Sequence, residues 1–255
     1  MTRTLFLLVW LCCLLGAEDS LSLTIRGRSQ KLIRVAGKPG KAMATVIFLP
    51  GDGGWRGAAI SMSESISSLG YEVYGFDTKA YLEEFSRDGL RLTQSQMGED
   101  LRYISRQIRR PVILVGWSQG AAMSIAAIAG TTVRDDIRGV ITLGLPEAAV
   151  LGWDWKASLA IIARREPDQP KFLVEPLLST KSSMPLWMIH GTDDEYTTTA
   201  VSQRLFQSAA EPKRFYEIPG ANHRFDAHRE ELNEALKMGL LWVNSQRIES
   251  LCARG

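Results

Sequence analysis

Gly116-Trp117-Ser118-Gln119-Gly120 is the segment of this chain whose residue types and spacing most directly suggest chemistry. It has the form G-x-S-x-G. It follows the apolar run Val112-Ile113-Leu114-Val115 and precedes a small-residue stretch of helical character. In that strand–turn–helix setting the turn has no room for side chains beside the serine, so the hydroxyl is held out over a sheet edge. The helix N-terminus behind it favours developing negative charge. The competing reading is a glycine-rich turn with an ordinary capping serine.

A serine hydroxyl is a weak nucleophile until a base takes its proton. The sequence holds three histidines. His190 ends a predicted strand, is followed at once by Gly191, and reads as structural. His228 opens the last predicted helix and reads as a cap or surface residue. His223 sits in Pro219-Gly220-Ala221-Asn222-His223-Arg224-Phe225, between the last predicted strand and the last helix, and is the candidate base. An imidazole in that role needs a carboxylate to fix its tautomer. Gly191-Thr192-Asp193-Asp194 follows another predicted strand, and two aspartates compete there. The Gly-x-x-Asp spacing favours Asp194 and leaves Asp193 to cap the next helix, with Glu195 nearby. The chain order is then Ser118, Asp194, His223.

Attack on a carboxylic ester makes an oxyanion that needs two preplaced donors. The backbone N–H of Gln119 is one candidate. The other is the N–H of Asp52 in the loop Pro50-Gly51-Asp52-Gly53-Gly54-Trp55. A carboxylate there would repel the oxyanion if it pointed inward. It is expected to point away, or to grip a cationic group of the substrate or Arg56. The alternative for the glycine run is a phosphate cradle, against which stands the absence of the Lys-Ser/Thr that follows in a P-loop.

The elements that must position these residues alternate between strands and helices. Short strands are predicted over 21–25 and 31–35 (a hairpin), 44–49, 71–76, 111–116, 139–143, 185–189 and 213–218. Helices are predicted over 60–69, 95–108, 121–129, 198–209 and 230–246. This alternation argues for a doubly wound, mostly parallel sheet covered on both faces, with chemistry at the carboxyl ends of the strands. Residues 146–184 break the rhythm and read as a small inserted cap without a clean strand.

The chain has 255 residues, which suits one large domain over 21–255. Thirty basic against 28 acidic side chains leave a net charge of +2 with no long block of one sign, so no nucleic-acid partner is expected. Residues 1–20 differ from the rest: Arg3, an apolar run over 5–15, then Gly16-Ala17-Glu18-Asp19. That is the layout of a secretory signal, cleaved after Ala17 or near Ser22; a retained anchor is the alternative. After cleavage Cys252 would be the sole cysteine, so no internal disulfide would form. No H-E-x-x-H, Cys/His cluster or G-x-G-x-x-G occurs, so neither a metal nor any other cofactor is expected.

Trp55, Tyr81, Trp117, Trp153, Trp155 and Tyr196 are expected on loops near the strand tips. Of these, Trp55, Tyr81, Trp117 and Tyr196 are the candidate substrate-binding residues, against the alternative of plain core packing. The stretch 153–165 is aromatic and apolar with a basic end, and reads as a buried cap helix or a membrane-surface contact.

The triad set and strand order resemble the α/β-hydrolase superfamily. More narrowly, Leu49-Pro50-Gly51-Asp52-Gly53-Gly54-Trp55, Gly70-Tyr71-Glu72-Val73-Tyr74-Gly75-Phe76-Asp77 and the 116–120 turn resemble the bacterial virulence protein family of VirJ and the C-terminal domain of AcvB. The resemblance implies a periplasmic protein and a hydrolase of aminoacylated phospholipid, since AcvB-like proteins cleave lysyl-phosphatidylglycerol. Some relatives are instead discussed as secretion-system accessories. The chain departs from the family at Asp77-Thr78-Lys79-Ala80-Tyr81-Leu82 and in the cap, which bears on substrate more than on chemistry.

The expectation is a periplasmic or secreted serine hydrolase that cleaves a small-molecule or lipid ester through an acyl-serine intermediate. An amidase on the same residues differs only in its leaving group. The rival from another class is a non-catalytic binding or secretion-accessory protein on a hydrolase scaffold. The sequence does not indicate an oligomeric state.

Overall fold

The computed structural model describes residues 20–36, 42–87, 91–108, 110–130, 136–154, 156, 159, 169–180, 182 and 184–252. The signal over 1–20 therefore falls outside the described residues except for Ser20, as do Trp155 and most of 153–165.

β1 (Ser20–Ile25) and β2 (Arg28–Val35) form an antiparallel hairpin, and β2 continues antiparallel onto β4 (Glu72–Phe76). From β4 onward the sheet is parallel through β3 (Thr45–Leu49), β5 (Val112–Trp117), β6 (Ile137–Leu143), β9 (Leu186–Gly191) and β10 (Lys213–Ile218). The eight strands lie in the order β1-β2-β4-β3-β5-β6-β9-β10. The helices are α1 (Ala58–Ser68), α2 (Thr78–Ser86), α3 (Gln94–Gln107), α4 (Gln119–Ile128), the short α5 (Glu175–Leu178), α6 (Thr199–Ser208) and α7 (Arg229–Cys252).

All five residues of β3 are buried, and their period of two sorts them between two cores. Val46 and Phe48 pack with Ala59, Met62 and Ile66 of α1 and with Leu236, Leu240 and Val243 of α7. Ile47 and Leu49 pack on the other face with Leu82 of α2, Leu101 of α3, Met123 of α4 and Leu205 of α6. Burying one such side chain stabilises the fold by about 1.5–3 kcal/mol. The central strands thus form an apolar slab that opens to polar groups at the strand ends.

Two elements depart from the sequence reading. Residues 78–86 form α2, where Tyr81 was expected on a loop. The Asp77 carboxylate starts that helix, accepting hydrogen bonds from the N–H groups of Lys79 and Ala80. Tyr81 is 1% exposed and its hydroxyl donates to Asp100 Oδ2 at 2.7 Å. Arg26 Nε reaches the same carboxylate at 2.8 Å. Tyr81 belongs to the core, so its assignment as a substrate-binding residue is corrected. Burial first, then the charge of Asp100 and its hydrogen bond, push the phenol far above its usual range.

The cap is the second departure. It carries an antiparallel hairpin, β7 (Ala148–Val150) with β8 (Lys171–Leu173), followed by α5. Strands of three residues leave no alternation to read, and their partners lie far apart in the chain. Trp153 is buried at 4% exposure within the core under the cap, and its backbone N–H donates to Ser86 Oγ at 2.8 Å.

Candidate active site

Four consecutive strands in sheet order (β5, β6, β9, β10) deliver Ser118, Gly144, Asp194 and His223 at their carboxyl ends. Ser118 has φ 54° and ψ −118°, a conformation that an L-residue rarely adopts. Such a residue costs on the order of 1–3 kcal/mol and persists where its surroundings over-determine it. They do so here. A Cβ on Gly116 would lie 2.4 Å from the Gly120 carbonyl oxygen, and one on Gly120 would lie 2.1 Å from the Leu49 oxygen. The two glycines let β3, β5 and α4 close around the turn. Ser118 N–H donates to Leu143 O at 2.9 Å, which ties the turn to β6.

His223 is held on several sides. Its Nδ1 lies 2.7 Å from Asp194 Oδ2. Its backbone N–H donates to Glu195 Oε2 at 3.1 Å, and its carbonyl accepts from Trp117 Nε1 at 3.0 Å. Trp117 immediately precedes Ser118, so this last bond draws the loop after β10 back across β9 and β6 to the serine turn. Asp194 Oδ1 accepts from the N–H groups of Tyr196 at 2.8 Å and Thr197 at 2.9 Å. Burial alone would raise the Asp194 carboxyl. The hydrogen bond and charge of His223, with those two N–H groups, hold it below its ordinary value instead. With Nδ1 committed to a carboxylate, Nε2 is the imidazole nitrogen left for another partner. Ser118 Oγ and Nε2 are not hydrogen-bonded to each other in this structure; such contacts commonly tighten only when substrate is bound.

Asp193 is exposed, and its carboxylate meets the Thr192 hydroxyl rather than His223. Nor does it cap α6: Thr198 does, accepting from Val201 N–H. His190 is buried at 1% exposure, with Nε2 3.2 Å from Thr199 Oγ1 and the ring stacked on Phe215. Burial lowers its pKa against the opposing charges of Asp194 and Glu217. His228 is half-buried at the start of α7, its carbonyl accepting from Leu232 N–H.

The loop over 50–55 packs against the serine: a Cβ on Gly51 would lie 3.2 Å from Ser118 Cβ. Thr78 fastens this loop, its buried hydroxyl donating to the carbonyls of Pro50 at 2.8 Å and Gly51 at 3.2 Å. Among the described residues, neither the Asp52 N–H nor the Gln119 N–H donates a hydrogen bond. The Asp52 side chain is exposed and forms no ion pair with Arg56 among the described residues. Trp55 packs on the sheet, edge-on to Phe48 and over Gly75, where a Cβ would lie 2.1 Å from its ring. Trp55 and Trp117 are both half-buried against the α1–α7 core. Tyr196 differs: it is 75% exposed and sits edge-on to the His223 ring at 4.9 Å. Among the described residues no group of His, Cys, Asp and Glu is placed to hold a metal.

The model of the bacterial virulence protein (VirJ) family matches residues 43–240. The chain belongs to the VirJ family. It is 27% identical over 196 residues to the uncharacterized protein YfhR of Escherichia coli O157:H7, a match covering 73% of this chain and 65% of that protein. The chain thus spans less than two thirds of that relative's length. In three dimensions it resembles an esterase domain from Rhodothermus marinus (TM-score 0.62, 18% identity, 89% of this chain and 98% of that one). It also resembles a membrane phospholipase A described as a bacterial virulence factor (TM-score 0.64, 12% identity, 89% and 86%). These likenesses establish an α/β-hydrolase fold.

In this VirJ-family chain, two residues of the site escaped sequence reasoning. Gly144 has φ 52°, and a Cβ there would lie 2.9 Å from His223 Nδ1 and 3.1 Å from Asp194 Oδ2. The strand order would have pointed to it, since it ends the strand between those of Ser118 and Asp194. Thr78 was read only as a departure from the family pattern, and the buried bonds to Pro50 and Gly51 give it a place.

Proposed function

We propose that this protein is an exported serine hydrolase of carboxylic esters. Ser118 attacks the ester carbonyl, and His223 Nε2 takes the hydroxyl proton and returns it to the departing alcohol. Asp194 orients the imidazole and stabilises its charged form. The N–H groups of Gln119 and Asp52 receive the oxyanion of the tetrahedral intermediate. Water then attacks the acyl-serine by the same proton route and frees the acid. The observation that carries this reading is the 2.7 Å Asp194–His223 contact, at strand ends shared with a serine in a strained turn.

The finer reading is a lipid-like ester, with an aminoacyl phospholipid as the leading case. The exposed Asp52 carboxylate, beside the glycine that touches Ser118, suits the cationic group of such a substrate. Tyr196 supplies an apolar surface next to the imidazole. Location in the periplasm or outside the cell follows from the signal layout at the N-terminus, and sequencing the N-terminus of the exported protein tests it.

The activity test is a panel of short-chain esters, acylglycerols and aminoacyl phospholipids with wild type and Ser118→Ala. Turnover that falls by about 10³-fold or more in a folded variant supports the proposal. Equal hydrolysis by both rejects Ser118. No turnover by wild type on any member of the panel favours a binding or secretion-accessory role on this scaffold.

A further inference from the structure

The Gln119 side chain makes bonds that the serine turn does not require. It is buried at 6% exposure. Nε2 donates to Val150 O at 2.9 Å, and Oε1 accepts from Val150 N–H at 3.0 Å. Val150 ends β7, the first strand of the cap hairpin. Leu151 N–H donates to Pro170 O at 2.7 Å, and Val174 N–H donates to Glu147 O at 3.0 Å. Backbone groups alternate sides along a strand, so residues 147 and 151 face β8 while Val150 faces the opposite edge. Among the described residues that edge carries no third strand. The primary amide of Gln119 takes the place of one, pairing both backbone groups of a residue that is itself 8% exposed. Left unpaired, two buried backbone groups would be costly.

We propose that the Gln119 side chain is a positioning residue: it locks the cap hairpin to the residue whose own N–H stabilises the oxyanion. This rests on the serine-hydrolase reading. Ser118 O, on the same peptide plane as that N–H, accepts from Ala121 N–H at 2.9 Å and Ala122 N–H at 3.2 Å, and the two bonds to Val150 fix the Gln119 Cα at the other end of the plane. The donor is therefore fixed before substrate arrives, which is the condition under which such donors are most effective. The cap hairpin in turn cannot lift without pulling on the residue that carries the donor.

The test compares wild type with Gln119→Met, which keeps length and burial but removes both bonds. Its readouts are steady-state kinetics on p-nitrophenyl acetate and the rate of fluorophosphonate labelling at Ser118. The expected result is a fall in kcat of about 10–100-fold with KM within about threefold. The labelling rate falls in parallel, while the final stoichiometry stays at one per chain. Val150→Pro removes one of the two bonds from the cap side and leaves 116–120 intact; a smaller fall in kcat, with KM again little changed, is expected. Wild-type kcat and labelling rate in folded Gln119→Met, with only a lower melting temperature, would overturn the proposal and leave a purely structural bond. If Gln119→Met does not fold, wild-type kcat in Val150→Pro overturns it equally. A wild-type protein that neither labels nor turns over ester rejects the serine-hydrolase reading itself, which separates that failure from this one.

Discussion

Asp100 and Asp194 are buried to nearly the same degree, at 5% and 7% exposure, yet their surroundings differ in one respect. Asp100 lies on α3, within one face of the sheet. Arg26 Nε reaches its two oxygens at 2.8 and 3.0 Å, and the Tyr81 hydroxyl adds a bond at 2.7 Å. Those partners are a guanidinium that stays charged and a phenol pushed far from titration by burial and by Asp100 itself. Neither partner exchanges a proton near neutral pH. Asp194, at a strand tip, spends one oxygen on two backbone N–H groups and the other on an imidazole. The imidazole keeps a second nitrogen for other work. A buried carboxylate is therefore no mark of function by itself. The mark is a partner that can pass a proton onward and a place at the open end of the sheet.

Neutralising each acid in turn separates the two carboxylates most strongly. Asp194→Asn is expected to lower kcat by about 10³–10⁴-fold with the fold retained, because the imidazole loses its tautomer and its counter-charge. Asp100→Asn is expected to lower stability by about 1–3 kcal/mol with kcat within twofold of wild type. Parallel ester kinetics and urea melts on the two variants check both, and equal effects on kcat would erase the distinction.

Gly144→Ala comes next. The added methyl meets His223 and Asp194 and sits at a φ that disfavours alanine. A displacement of the imidazole by a fraction of an ångström is expected to lower kcat by about 10–100-fold, with a modest loss of stability. The same kinetics and melts read it.

Tyr81→Phe is the smallest. It removes one of the bonds to Asp100 and is expected to lower stability by about 1–2 kcal/mol while leaving KM and kcat unchanged. A raised KM would return Tyr81 to the substrate site.

The parts of this arrangement that were legible in the sequence are those that local sterics dictate. Gly116 and Gly120 announce the serine turn because no other residue fits where β3 and α4 crowd it. Asp194 follows from a turn spacing, and the eight-strand sheet from short apolar runs. Helix α2 carries signals in Asp77 as a cap and in the spacing of Tyr81, Leu82 and Phe85, but a helix of nine residues directly after a strand is hard to tell from a loop by pattern alone. Gly144 is legible only through the order of the strands, and the Gln119–Val150 bonds not at all. Each depends on a loop or hairpin folding back over strands distant in the chain, and no local pattern records that. The aromatic residues divided for the same reason: Tyr81, Trp153 and Tyr196 look alike as sequence, and only their neighbours separate core from surface.

The most direct measurement of the central claim is mass-spectrometric mapping of a fluorophosphonate adduct on the native protein. The expected product is a single phosphonyl group on Ser118, absent from Ser118→Ala and formed far more slowly by His223→Ala. An adduct on any other residue, or a native protein that stays unlabelled under conditions in which a known serine esterase reacts fully, would contradict it.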